Sequence, residues 1–284
     1  MTSVGCYDAL AMRSVIFWAV LGAIGVGVWT LATRVEQPAT ESVAPQFPGG
    51  NLVDLSHSFD QQTIFWPTAE GFRLHKDSEG VTPAGYYYSA NSFSTAEHGG
   101  THLDAPVHFA QGRQSVDQIP LGRLFGPVVV VDVTKASESS ADYQVSVDDL
   151  MQSESEGAIT AESIVLFRTG FSKRWPDAAR YLGTAERGAG AVPKLHFPGL
   201  HPDAAKWLVQ KGVRAVGIDT ASIDYGQSTL FESHRNLYEA NIPAFENLTS
   251  LERLPLRGAF IVALPMKIAG GTGAPLRAVA VLPK

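Results

Sequence analysis

Five short stretches rich in β-branched residues constrain this chain more than anything else in it. VVVVDVT (128–134), SIVLFRTG (163–170), VRAVGIDT (213–220), AFIVALPMKI (259–268) and RAVAVL (277–282) are apolar almost without interruption. Runs of this length and composition read as strands, and the lack of polar alternation reads as burial on both faces. YYYSANSF (86–93) reads as a further strand. Helical signals are fewer. HPDAAKWLVQKG (201–212) has Pro202 at a first helical position and stops at Gly212, and Ser146 with Asp149 has the form of a capped helix start. Strands outnumber helices, and loops rich in Gly and Pro join them. The expected domain is therefore mixed α/β with a strongly curved sheet. Hydrophobic residues at 45% suffice for its core.

The chain before this domain has a different character. Residues 15–32 (VIFWAVLGAIGVGVWTLA) carry no charge and lie between Arg13 and Arg34. At a helical rise of about 1.5 Å per residue they span most of a bilayer core. The reading is an N-terminal membrane anchor or signal segment over 1–34, a flexible linker over 35–50 rich in Pro, Ser, Thr and Gln, and a main domain over 51–284. A single-pass anchor with the domain outside the cytoplasm is the expectation. Export after signal cleavage is the alternative, although a clear A-x-A exit is missing. The net charge of −6 with no block of Lys or Arg excludes a nucleic-acid footprint. The one cysteine, Cys6, precedes the apolar run, so no thiolate can serve the main domain as nucleophile or metal ligand.

Function is concentrated in EHGGTHLDAPVHF (97–109). Three of the eight histidines of the chain and one aspartate fall within it. Gly99, Gly100 and Pro106 argue against a helix. In an extended strand, the period of two puts His98, Gly100, His102 and Asp104 on one side, with open space at the glycine. Two imidazoles and a carboxylate converging there form a first-row metal site by ligand type. Pro106 then turns the chain, and His108 follows near the same pocket. No G-x-S-x-G is present, which removes the strongest sequence argument for a serine hydrolase. GGTG (270–273) lacks the spacing of a phosphate loop and reads as a turn before the last strand.

The spacing H-x-G-x-H-x-D-x-x-x-H resembles the signature of the cyclase family of metal-dependent hydrolases, which includes bacterial kynurenine formamidases and isatin hydrolases. LVDLS (52–56), FWP (65–67), AVGIDTASID (215–224), His234 and ENL (246–248) are similar to further parts of that family's pattern, so the resemblance covers about residues 50–284. It implies a swivelling β/β/α fold in the α/β class. It implies that His98, His102, Asp104, His234 and Glu246 ligate one or two divalent ions, zinc first and manganese as the alternative. It also implies that His108 is the acid/base and that Trp66 packs on the substrate. Phe59, Phe65 and Tyr86 to Tyr88 are further candidates for aromatic contacts. The activity implied is metal-assisted hydrolysis of a small aryl amide, with N-formylkynurenine as the leading substrate. An isatin-like cyclic amide or a lactone is the near alternative, and a non-catalytic module binding a metal and an aromatic ligand is the alternative of another class. A homodimer or higher homo-oligomer is the implied assembly.

Overall fold

A computed structural model of the protein describes residues 49–284. Its strands are β1 (Leu52–Asp54), β2 (Arg73–Val81), β3 (Tyr87–Ser94), β4 (His102–Asp104), β5 (Phe125–Asp132), β6 (Gln144–Val145), β7 (Ile164–Arg168), β8 (Gly199–Leu200), β9 (Ala215–Ile218), β10 (Ala244–Glu246), β11 (Arg257–Pro265) and β12 (Gly273–Val281). The helices are α1 (Thr134–Ser139), α2 (Val147–Ser153), α3 (Ala178–Leu182), α4 (Pro202–Lys211) and α5 (Glu232–Glu239), with short 3-10 turns between them.

Eight strands form one sheet in the order β1-β12-β11-β5-β7-β9-β10-β4, and β4 returns to pair with β12. That pairing closes the sheet into a barrel, and one edge of β12 serves two neighbours. Gly273 to Pro275 pair with β4, and Val279 to Val281 pair with β1. The fold is mixed α/β with a β-barrel core, and closure is the extreme form of the curvature expected from the sequence.

The apolar runs follow from burial on both faces. In β5, Val128 and Val130 enter one core cluster with Ile164 and Leu166 of β7 and Ala215 of β9. The alternate residues Val129, Val131, Val165, Phe167, Val216 and Ile218 belong to a second cluster, with Leu208 of α4 and Leu237 of α5. Val128 to Val131, Ile164 to Phe167 and Ala215 to Ile218 are buried throughout, so an unpaired polar residue within these runs would cost desolvation. Small residues on β11 and β12 (Ala259, Ala263, Ala274, Ala278, Ala280) share the first cluster. Helix α4 starts at Pro202 and stops at Gly212 with φ +70°, and Ser146 with Asp149 forms the capping box of α2.

Three expectations need correction. Residues 98–101 are not strand, because Gly100 takes φ +58° and only residues 102–104 pair as β4. The run 86–93 is a strand as expected from Tyr87 onward, within β3, but Tyr86, Tyr87 and Tyr88 lie exposed at the turn end of a ribbon in which β2 and β3 pair only with each other, and not against the pocket. The placement in a membrane, with the domain outside the cytoplasm, is also corrected: among the described residues no helix is long and apolar enough to cross a membrane. The apolar run 15–32, on which the anchor or signal helix rested, lies outside the described residues.

Near the barrel mouth, His57 stacks on Trp175 with ring centroids 4.1 Å apart, and its Nε2 is buried without a protein partner. Burial lowers its pKa to about 4 against the opposing pull of Asp54. The unfolded chain, with a histidine near the ordinary 6.5, therefore binds a proton that the folded chain refuses, so stability falls as pH drops from about 6.5 toward 4. Denaturant titrations at pH 7 and pH 4.5 should show His57→Phe retaining about 2 kcal/mol that the parent loses over that interval, after discounting for the partly exposed ring. Equal losses in both proteins would show that the ring takes up its proton without cost.

Candidate active site

Strand pairing assembles the centre of the site. In the antiparallel register of β10 and β4, Glu246 lies opposite His102 and Ala244 opposite Asp104. Direct cross-strand partners share a face, and Asp104 is two residues beyond His102 on that face, so three ligand-type side chains project together. Helix α5 supplies the fourth. Its buried side carries His234, Leu237 and Tyr238.

The resulting cage alternates imidazole nitrogens with carboxylate oxygens. His102 Nε2 lies 3.1 Å from Asp104 Oδ1 and 3.4 Å from Glu246 Oε2. His234 Nε2 lies 3.2 Å from Glu246 Oε1 and 3.5 Å from Asp104 Oδ2. These four side chains are at most 4% exposed. His98 reaches the same carboxylate from the loop before β4, with Nδ1 2.6 Å from Asp104 Oδ1. His108 closes the short 3-10 turn Pro106–His108, stacks on His98 at 3.8 Å, and holds Nε2 4.0 Å from Asp104 Oδ2. Both groups are partly open to the pocket, at 23% and 30% exposure.

The electrostatics of this cage call for a cation. Both carboxylates are buried, and among the described residues their ion-pair partners are imidazoles. Burial pushes Glu246 up, and the charge of Asp104 adds to that. Burial also opposes ionisation of Asp104, but the surrounding imidazoles of His98, His102 and His234 outweigh it and hold this carboxyl well below its usual range. His102 Nε2 is buried with no hydrogen-bond partner, although it faces both acids. An orphaned ring nitrogen between two carboxylates suits a metal ligand, and nitrogen with oxygen donors suits zinc or manganese. Two ligand groups share Asp104: His102 with Asp104 and Glu246, and His98 with Asp104 and His108.

Outer partners orient these side chains. His102 Nδ1 donates to the carbonyl of Gly100 at 3.0 Å, and His234 Nδ1 to Asp224 Oδ2 at 2.5 Å. Asp224 also accepts the backbone N–H groups of Ser233 and His234. Tyr238 donates to Asp104 Oδ2 at 2.9 Å, and the backbone N–H of Ile223 donates to Glu246 at 2.6 Å. Such contacts turn Nε2 of His102 and His234 into the cage and would raise the basicity of these rings toward a metal ion. Sequence reasoning gave Asp224 and Tyr238 no role. Tyr238 had a signal, being one helical turn past His234, and Asp224 ended the stretch 215–224 that resembles the family's pattern, although no role was attached to it.

The cage opens on a pocket of about 300 Å³. Trp66, Phe65, Phe109 and Phe231 line it, together with Ile64 and Ser222. Trp66 and Phe109 lie 6.4 Å and 5.0 Å from Phe231 between ring centroids. Phe231 takes φ +48° at the start of α5, a left-handed conformation unusual for a bulky residue and of the kind that gathers at binding sites. Tyr86 to Tyr88 and Phe59 are absent from the lining. Asn247, in a sequon by sequence, is 1% exposed and hydrogen-bonded to Tyr181 and Gly100.

The Cyclase family model matches residues 53–225, and the matched span contains the 98–108 signature. The chain belongs to the cyclase family of metal-dependent hydrolases. Within this family it is 33% identical over 270 residues to an isatin hydrolase of Roseibium aggregatum, covering 92% of this chain and 97% of that protein. It is 32% identical over 238 residues to a kynurenine formamidase of Salinibacter ruber, covering 80% and 96%. Among solved structures, isatin hydrolase A from Ralstonia solanacearum superposes with a TM-score of 0.73 at 34% identity, over 82% of this chain and 92% of that one. This cyclase-family chain is accordingly a hydrolase with a metal-binding cluster.

Proposed function

We propose that this hydrolase cleaves the amide C–N bond of a small aryl substrate, with N-formylkynurenine the first compound to test. The observation that carries the reading is a buried His-Asp-Glu cage opening directly on an aromatic-walled pocket. In this proposal His98, His102, Asp104, His234 and Glu246 hold one or two divalent ions, zinc first and manganese as the alternative. A divalent cation in such a set would polarise a substrate carbonyl and lower the pKa of a bound water to near 7.

The chain's own groups do the rest. His108 borders the pocket, and burial lowers its pKa to about 4, with Asp104 opposing and the neighbouring imidazoles reinforcing the effect. It is neutral at pH 7 and can accept the proton of the attacking water. As the C–O bond forms and the C–N bond breaks, the same ring returns that proton to the leaving nitrogen. Trp66 and Phe231 hold the aryl group, and the apolar wall excludes bulk water from the acids. The domain is read as the swivelling β/β/α form of the family, and its assembly as a homodimer or larger homo-oligomer.

A second reading, opening of an isatin-like cyclic amide, is favoured by the similarity that runs over nearly the whole isatin hydrolase. Zinc- or manganese-loaded protein assayed with N-formylkynurenine, isatin and a simple lactone separates the two readings. Formate release supports the first, ring-opened product the second, and no turnover of any amide sinks both. Trp66→Ala is expected to raise KM for the accepted aryl amide about tenfold while leaving kcat within a few-fold, since one aromatic stacking contact contributes roughly 0.5–1.5 kcal/mol.

A further inference from the structure

The GGTG loop, 270–273, is more than a turn. It packs against the site, and its closeness there depends on glycine. A Cβ at Gly273 would lie 2.5 Å from His98 Cε1 and 2.9 Å from the carbonyl oxygen of Leu103, and one at Gly271 would lie 3.0 Å from Glu97 Oε1. The loop is tied at successive residues. Gly270 N–H donates to Asp117, Val116 N–H donates to the Gly271 carbonyl, and Ala105 N–H donates to the Thr272 carbonyl. Thr272 is thereby fixed between Glu97 and His98.

The direction of the hydrogen bonds there can be deduced. Glu97 Oε2 accepts the backbone N–H groups of Thr272 at 2.9 Å and Gly273 at 3.3 Å, so it is an acceptor. Thr272 Oγ1 lies 2.6 Å from the same oxygen and gives its one proton to it. The hydroxyl must then accept from its other neighbour, His98 Nε2, at 2.9 Å. A neutral His98 consequently carries its proton on Nε2 and presents a bare Nδ1, 2.6 Å from Asp104 Oδ1. His102 and His234 are arranged the opposite way, donating through Nδ1 and facing the cage with Nε2.

We propose that Glu97 and Thr272 are positioning residues: through the relay Glu97–Thr272–His98 they set the tautomer of His98 so that Nδ1 serves as a cation ligand beside Asp104. This rests on the metal-dependent reading above and deepens it, because it assigns the ligand atom and names the residues that choose it. The relay predicts that the ion bound through His98 answers to a hydroxyl group that never touches it.

Metal-free parent protein, His98→Ala, Thr272→Val, Thr272→Ser and Glu97→Gln are titrated with Co²⁺ and Zn²⁺. His98→Ala identifies the ion that needs this histidine. Thr272→Val and Glu97→Gln should weaken that same ion about 10- to 100-fold, the range for outer partners of metal ligands, and Thr272→Ser should restore it. Long-range ¹H–¹⁵N correlations of the zinc-loaded parent should show His98 protonated at Nε2. A parent that takes up no cation would overturn the metal reading and this proposal together. A parent that binds normally, with Thr272→Val equally tight, with Thr272→Ser as weak as Thr272→Val, or with His98 bound through Nε2, would overturn the relay alone.

Discussion

Asp104→Asn should leave the protein folded, unable to retain added zinc, and at least about 10⁴-fold slower in turnover. Asp104 is the one carboxylate in contact with all four imidazoles of the cluster, His98, His102, His108 and His234. Asparagine keeps the shape and can still accept the hydrogen bond of Tyr238, but it removes the charge that both ligand groups share. The size of the effect would follow from the water, which without a bound cation offers far less hydroxide at pH 7, partly offset by the weaker nucleophilicity of a bound hydroxide. Metal analysis beside turnover and thermal unfolding measures all three expectations. Chelation should lower the unfolding temperature of the parent, because a ligand at about 100 times its Kd stabilises by about 2.7 kcal/mol, and Asp104→Asn should be indifferent to the chelator. A variant that keeps its zinc and most of its activity would remove Asp104 from the centre of the site.

His108→Ala is expected to keep its metal and lose about 10²- to 10⁴-fold in kcat, the range for a general acid/base. Its ring is more open to the pocket than any other in the cluster, and its Nε2 stands farthest from Asp104, at 4.0 Å. From the pocket side that ring can meet a water or a substrate group. The competing role is that of ligand, since donor atoms of His98, Asp104 and His108 lie within 4.8 Å of one another. Metal content decides between them. Loss of one ion in His108→Ala, together with its turnover, would move this residue from proton transfer to coordination. Retained metal with unchanged kcat would leave it no part in the chemistry.

Much of the barrel was legible because its strands are buried on both sides. Val128 to Val131 and Ile164 to Phe167 carry no polar alternation to confuse the reading, and the helix opened by Pro202 was marked by its own ends. The ribbon was half visible, since RLHKDSEGV in β2 has no apolar period and faces water throughout. His102 and Asp104 share a face as strand periodicity requires. His98 does not reach the site along a strand, because the left-handed Gly100 breaks the extended run and Phe59 occupies the space where a Cβ would stand. His234 and Glu246 had no local signal, being a helical and a strand residue far from the signature, and only the family resemblance singled them out.

Local pattern by itself determined the main strand-forming runs, the ends of the helix opened by Pro202 and a cluster of metal-ligand type in 98–104, because those depend on side-chain type and on neighbours a few residues away. Tertiary structure decided which groups meet and by which atom. The return of β4 to β12 lays Thr272 against His98, and the register of β10 sets Glu246 opposite His102. The helix after Phe231 brings His234 and Tyr238 to Asp104. Such contacts span more than a hundred residues of chain, and whether a ring presents Nδ1 or Nε2 is set by the partner that its other nitrogen finds after folding.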